Sequence, residues 1–383
     1  MGKKVYDVAV IGAGVFGTWT ALRLRQAGNR VVLIDAFGAG NNRSSSGDES
    51  RIIRCGYGAD EIYTRMARSS LSAWQELFEA GKCRHLFQKS GVLWLGQKND
   101  AYIRKTAQVL KRAGVRSETL SPPVLRERFP QFNCLDLPYA LLEPDSGALL
   151  GRQAVKAVWK AYLDAGGDFR LGRVAEPETE TTLSSITLET GEQIFAAVFV
   201  FACGPWLPKV FPQLLRRRLF ITRQEVLYFG PPGGTTYLPG NMPVWLDMKQ
   251  NVYGLPDLDG RGVKAAFDAH GPAFDPDSGN RLVSQETVRR MRMYLARRIP
   301  GLAGVRVIET RVCQYENTSN GDFLLDRHPE MDNVWLAGGG SGHGFKHGPA
   351  VAEYLRAQID GSGTLEPRFS LGSKLTIQNR SVF

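Results

Sequence analysis

The chain has 383 residues, of which 43% are hydrophobic, 10% aromatic and 22% charged, with a net charge of +10. This globular composition excludes a disordered, collagen-like or heptad-repeat protein and leaves room for two or three domains. No run approaches the roughly 18 apolar residues of a membrane span. Met1-Gly2-Lys3-Lys4 lacks the form of a signal peptide or a myristoylation site, and Ser381-Val382-Phe383 does not match the peroxisomal address, so a cytoplasmic protein is expected. The cysteines (Cys55, Cys83, Cys134, Cys203, Cys313) are odd in number and widely spaced, without C-x-x-C, and the five histidines form no H-E-x-x-H. Neither a disulfide framework nor a metal site is expected.

In chain order, Val5 to Ile11 reads as a buried strand, Gly12 to Gly17 as a turn, Thr18 to Gln26 as a helix and Val31 to Ile34 as a second buried strand ending at Asp35, one βαβ unit. A helix over 61–80, a strand over 91–95 and a helical stretch over 101–114 follow, and Pro122-Pro123 and Pro130 punctuate a loop-rich region. Arg152 to Ala165 is helical, ended by Gly166-Gly167, and strands follow at 184–189 and 194–202. The stretch 211–304 is strand-rich up to a segment with Arg289-Arg290-x-Arg292 and Arg297-Arg298. Val288, Met291, Leu295 and Ile299 at helical spacing make that segment an amphipathic helix with a solvated basic face rather than a nucleic-acid surface. Val334 to Ala337 is a buried strand, followed by a glycine run and a helix from about Pro349.

Gly12-Ala13-Gly14-Val15-Phe16-Gly17 is a G-x-G-x-x-G fingerprint between strand and helix. Gly12 permits the tight turn, Gly14 lets backbone approach a pyrophosphate, and Gly17 lets the helix pack on the strand. The helix N-terminus attracts phosphate, with Val15 and Phe16 in its first turn. Asp35, 18 residues after Gly17, suits a ribose diol and disfavours the 2′-phosphate of NADP. FAD and NAD both satisfy this fingerprint.

Four further segments favour FAD by resemblance. Ser44-Ser45-Ser46-Gly47-Asp48-Glu49-Ser50-Arg51-Ile52-Ile53-Arg54 resembles the flavin-contacting loop of the monomeric sarcosine oxidase family, within the D-amino-acid-oxidase-like FAD enzymes. Ala202-x-Gly204-x-Trp206 is similar to its second adenosine-side segment, Ser341-Gly342-His343-Gly344-Phe345-Lys346 to its C-terminal flavin motif, and Thr310-x-x-Cys313-x-Tyr315 to its site of covalent flavin attachment. The resemblance spans essentially the whole chain. It implies an α/β (α+β overall) fold: a Rossmann-like FAD-binding domain (1–82, 144–210 and 305–383) with an inserted antiparallel-sheet substrate domain (83–143 and 211–304). It places FAD against Gly12, Gly14, Val15, Phe16, Gly17, Asp35, Ser45, Ser50, Arg51, Val174, Gly342, Gly344, Phe345 and Lys346, tethered through Cys313 as a thioether. Arg51 or Lys346 would supply the cation that activates the thiol. The helix after Gly338-Gly339-Gly340 would turn its N-terminus toward the anionic edge of the reduced flavin.

Further roles follow from the same resemblance. Arg54 and Lys346 match the pair that binds the substrate carboxylate, a planar fork with a point charge. Lys264 matches the lysine that promotes reaction with oxygen, and Tyr253 and Tyr315 match aromatics that close the pocket. Gly47 and Asp268 stand where sarcosine oxidases carry histidines, and with Trp245 these changes are expected to alter the pocket's size and charge. The expected activity is oxidation of a secondary, N-methyl or cyclic amino acid: hydride transfer to FAD, hydrolysis of the released imine, and reduction of O₂ to H₂O₂. An FAD-dependent dehydrogenase, or an oxidase of another amine or of a primary amino acid, is the alternative. The expected partners are the small amine and O₂, for a monomer without nucleic acid or membrane; a non-catalytic dinucleotide-binding or nucleic-acid-binding protein is the competing class.

Overall fold

A computed structural model describes residues 5–378; the readings made at Met1–Lys4 and Ser381–Phe383 lie outside them. β1 (Val5–Ile11), α1 (Val15–Gln26) and β2 (Val31–Asp35) form the expected βαβ unit. The helix starts at Val15, inside the glycine fingerprint rather than after it, because the turn is complete by Gly14. β1 pairs in parallel with β2 and with the strand Gln193–Phe201, which in turn pairs in parallel with Val334–Gly338. Asp168–Leu171 extends this seven-stranded sheet beyond β2, Leu324–Arg327 forms its antiparallel far edge, and Ser185–Thr187 pairs beside Gln193–Phe201. Both faces are covered, which is why Val8–Ile11 and Val31–Ile34 are apolar without alternation. On one face α1 lies against the helices Gly151–Asp164 and Gly348–Ile359 and buries Trp19, Leu22 and Leu24 among them.

The second large sheet has eight strands in the order Val307–Thr318, Leu219–Phe229, Val263–Phe267, Val252–Leu255, Val244–Asp247, Val92–Gly96, Tyr139–Glu143, Glu118–Leu120. All neighbours are antiparallel except Val244–Asp247 with Val92–Gly96. Met291, Leu295 and Ile299, on and just beyond the basic helix Gln285–Arg298, pack with Trp245, Val252, Val263 and Ala265 on one face. Alternation along the strands turns Leu246, Tyr253 and Lys264 to the other face, toward a cavity.

Two expectations need correcting. Pro122–Arg128 is a helix rather than loop, since proline is compatible with a first turn, where its missing N–H costs nothing. Arg298 does not belong to a solvated face: it is 3% exposed and pairs with Asp136 and Asp247.

Candidate active site

A cavity of about 410 Å³ runs between the two large sheets and is bordered by the Ser44–Arg54 loop. It reaches from Asp35 and Val174, beside the first sheet, to Arg54, Tyr57 and Lys346. At Asp35 the carboxylate accepts hydrogen bonds from the Ala13 N–H and the Phe37 N–H, each at 2.7 Å, and burial raises its pKa above the ordinary value. α1 carries no acidic residue in its first turn and Gly14 offers no side-chain cap, so its end stays attractive to an anion; Ser46 Oγ accepts from the Val15 N–H at 3.1 Å. Gly12 has a φ of +105°, and a Cβ there would overlap the Ala202 carbonyl; a Cβ on Gly17 would overlap the Gly12 carbonyl. The glycines thus let the turn, the helix end and Ala202 close up as bare backbone beside the cavity, with the Asp35 carboxylate at its rim. This donor set fits an adenine dinucleotide.

The opposite wall is ionic. Lys264, 2% exposed, donates to Asp48 Oδ2 at 2.5 Å and to the Ser50 carbonyl at 2.9 Å. Asp48 also receives Arg51 Nη1 at 2.6 Å and the Tyr228 hydroxyl at 2.9 Å. Burial alone would raise the Asp48 carboxyl, but Lys264 and Arg51 hold it well below the usual range. Burial pulls the Lys264 ammonium below its ordinary pKa against the opposing pull of Asp48. Arg51 Nη2 lies 3.7 Å from Cys313 Sγ, so of the two cations expected near the thiol Arg51 is the one in contact. The other, Lys346, donates to the His343 carbonyl at 2.9 Å.

Arg54 and Lys346 are both 4% exposed, which excludes ordinary surface roles. The Arg54 guanidinium lies 4.5 Å from the Tyr57 ring centre and 4.7 Å from that of Trp94, and Lys346 Nζ lies 5.2 Å from the Tyr57 ring. Burial, then Arg54, drives Lys346 well below its ordinary pKa. The Tyr57 hydroxyl sits 2.7 Å from His347 Nε2 and 3.2 Å from His343 Nδ1, while His343 Nε2 sits 3.0 Å from the Gly321 carbonyl. A carbonyl only accepts, so His343 carries its proton on Nε2 and accepts from Tyr57 on Nδ1. Burial, then the charge of Lys346, pushes His347 well below its ordinary pKa.

Tyr253, Tyr315 and Asp268 also line the cavity, and the Tyr315 hydroxyl donates to Asp268 Oδ1 at 3.2 Å. Burial, then Asp268, raises both tyrosine hydroxyls. Ser45, Ser50, Gly342, Gly344 and Phe345 are at the cavity wall, while Gly17 stands behind it. Trp245 is not brought to the site. It is fully buried on the other face of the sheet against Phe132, because strand alternation gives the cavity to Leu246 instead. Gly47 does not border the cavity either: a Cβ there would run into the Asn41 carbonyl. The C-terminal helix starts at Gly348, within a residue of the expected Pro349, and a turn and a single 3₁₀ turn, Phe345–His347, separate it from Gly338–Gly340. Cavity-facing residues that sequence reasoning missed include Asp48, Tyr57 and Glu316. Asp48 and Tyr57 flank the recognised arginines, whereas nothing local marks Glu316, whose carboxyl burial pushes up to about 8.

A dinucleotide cradle, an ionic wall and a paired-cation pocket on one α/β scaffold define a flavoprotein oxidoreductase. Residues 7–358 match the family model described as DAO, FAD dependent oxidoreductase, and the chain belongs to that family. It is 30% identical over 375 residues to a monomeric sarcosine oxidase of Bacillus sp. (strain B-0618), covering 96% of this chain and 95% of that one. It is also 30% identical to the human peroxisomal sarcosine oxidase, covering 92% of each, and 28% identical to an N-methyl-L-tryptophan oxidase of Yersinia pestis, covering 91% and 93%. Among solved structures, an L-proline dehydrogenase from P. horikoshii shares the fold with a TM-score of 0.84 at 20% identity, covering 97% of this chain and 98% of that one. The chain is an oxidoreductase of CH–NH bonds with a Rossmann-like FAD-binding fold.

Proposed function

We propose that this enzyme oxidises a secondary α-amino acid, N-methylated or cyclic, and returns the electrons to oxygen as H₂O₂. The observation that carries the reading is the pair of buried cations, Arg54 and Lys346, set against one tyrosine ring at the cavity wall. Two desolvated cations suit a carboxylate, with Arg54 fixing its plane and Lys346 adding a point charge. Asp268, held by Tyr315, offers an acceptor to the amine, and Tyr253 and Tyr315 exclude water around it. Three relatives bear names of sarcosine, N-methyl-tryptophan and proline enzymes, and these substrates share a secondary amine beside a carboxylate.

FAD, when bound, supplies the two-electron acceptor, and we assign its adenosine half to Asp35, Val174 and the α1 N-terminus. The reactive ring falls to the wall of Arg51, Ser50, Cys313, Gly342 and Phe345. The Arg51 contact at 3.7 Å supports a thioether tether through Cys313, because it sets a cation beside the sulfur that would form the bond. A monomer acting in the cytoplasm, with neither nucleic acid nor membrane as partner, completes the proposal. The absence of a nucleic-acid partner is supported by the carboxylates that engage the basic helix, Glu286 on Arg289 and Asp136 on Arg297 and Arg298.

Lys264 is assigned the stabilisation of developing superoxide. Its bond to Asp48 supports a second reading, in which an acceptor other than oxygen takes the electrons. The two separate in air. The oxidase releases one H₂O₂ per imine formed, and Lys264→Met slows reoxidation at least 100-fold while slowing reduction far less. Equal slowing of both steps, or no peroxide from an enzyme that is reduced normally, contradicts the oxygen role.

A further inference from the structure

Glu143, at the end of the strand Tyr139–Glu143, is 0% exposed and lies outside the groups assigned above. Its two carboxylate oxygens are fully engaged. Oε2 accepts from the Cys55 N–H at 2.7 Å and the Ser146 hydroxyl at 2.8 Å. Oε1 accepts from the Gly56 N–H at 3.1 Å and from Trp94 Nε1 at 2.9 Å. Three of these four donors bear on Arg54. Cys55 and Gly56 are the next two residues of its chain, Gly56 also accepts from Arg54 Nη1 through its carbonyl, and the Trp94 ring is one of the faces the guanidinium packs on. A carboxylate deep in the protein is costly unless hydrogen bonded in this way, and a lost acceptor strands its donors.

We propose that Glu143 is the positioning residue of the carboxylate clamp: it ties the Cys55–Gly56 turn to Trp94, so that Arg54 is held in one orientation. The inference rests on the reading of Arg54 and Lys346 as that clamp.

The test is a titration of the holoprotein with propionate, followed by the flavin absorbance, with propionamide as the uncharged control. Glu143→Gln keeps the shape but turns hydrogens toward N–H donors. It is expected to weaken propionate binding at least tenfold and to raise KM for the amino acid in step, with kcat within about threefold. Trp94→Phe removes a single donor, is expected to weaken propionate threefold to tenfold, and serves if Glu143→Gln fails to fold. Variants that bind propionate like the wild type, or that lose kcat as much as affinity, overturn the positioning role. A wild-type protein indifferent to propionate overturns the clamp itself, and Glu143's part with it.

Discussion

Lys264 brings its ammonium into a dry wall that already holds Asp48, Arg51 and Tyr228. Neither lysine nor carboxylate would be tolerated there alone, since an unpaired buried charge costs several kcal/mol. Glu316 meets the same problem by keeping its proton. Burial raises it to about 8, while the Gly339 and Gly340 amides pull the other way. Because the folded state holds a proton that the unfolded chain gives up near the ordinary value of 4.5, stability present below that pH is lost as pH rises to about 8. The shift bounds the effect at up to ~5 kcal/mol. Glu316→Gln should flatten this slope, gaining on the wild type in chemical unfolding at pH 8.5 relative to pH 5; parallel pH profiles would show that Glu316 ionises normally. Residues such as Arg54, Lys346 and Cys313 were legible because motif and spacing mark them. Asp48, Tyr57 and Glu143 were not, because their roles come from partners 49 to 290 positions away in the chain.

Among elements, the helix α1 and the long strand Val307–Thr318 do most to shape the cavity. α1 approaches β1 so closely at Gly17 that no side chain fits. Gly17→Ala should therefore push the fingerprint turn aside, costing ~2–3 kcal/mol and at least tenfold in affinity for FAD. Wild-type stability and full FAD occupancy in that variant would contradict the close packing. The strand carries Cys313 and Tyr315 two residues apart, so both side chains share a face, and it pairs along its length with Leu219–Phe229. Strands were harder to read than helices. The helix over 61–80 was read at the length it has, whereas Trp245 was misplaced because a mostly apolar four-residue strand gives no sign of which parity faces the cavity.

For the molecule as a whole, the active site belongs to neither large sheet alone. β1, α1 and the Val334–Gly338 strand border one side of the cavity, while Lys264, Tyr253 and Cys313 come from the eight-stranded sheet. The division into a cofactor unit and an inserted unit stands as a proposal in which Val307–Thr318, although past residue 305, pairs within the second sheet. The βαβ unit was legible because its strands, helix and turn are contiguous. The order of the eight-stranded sheet was not, since its central junction pairs Val92–Gly96 with Val244–Asp247 across some 150 residues, which no local pattern encodes. That shared cavity is the basis of the central claim, and anaerobic absorbance of the purified flavoprotein tests it most directly, with N-methyl, cyclic and primary amino acids added in turn. The account predicts bleaching by secondary amino acids and loss of that bleaching at the same concentrations in Arg54→Met. A flavin that stays oxidised with every secondary amino acid, or that bleaches equally well in Arg54→Met, would contradict it.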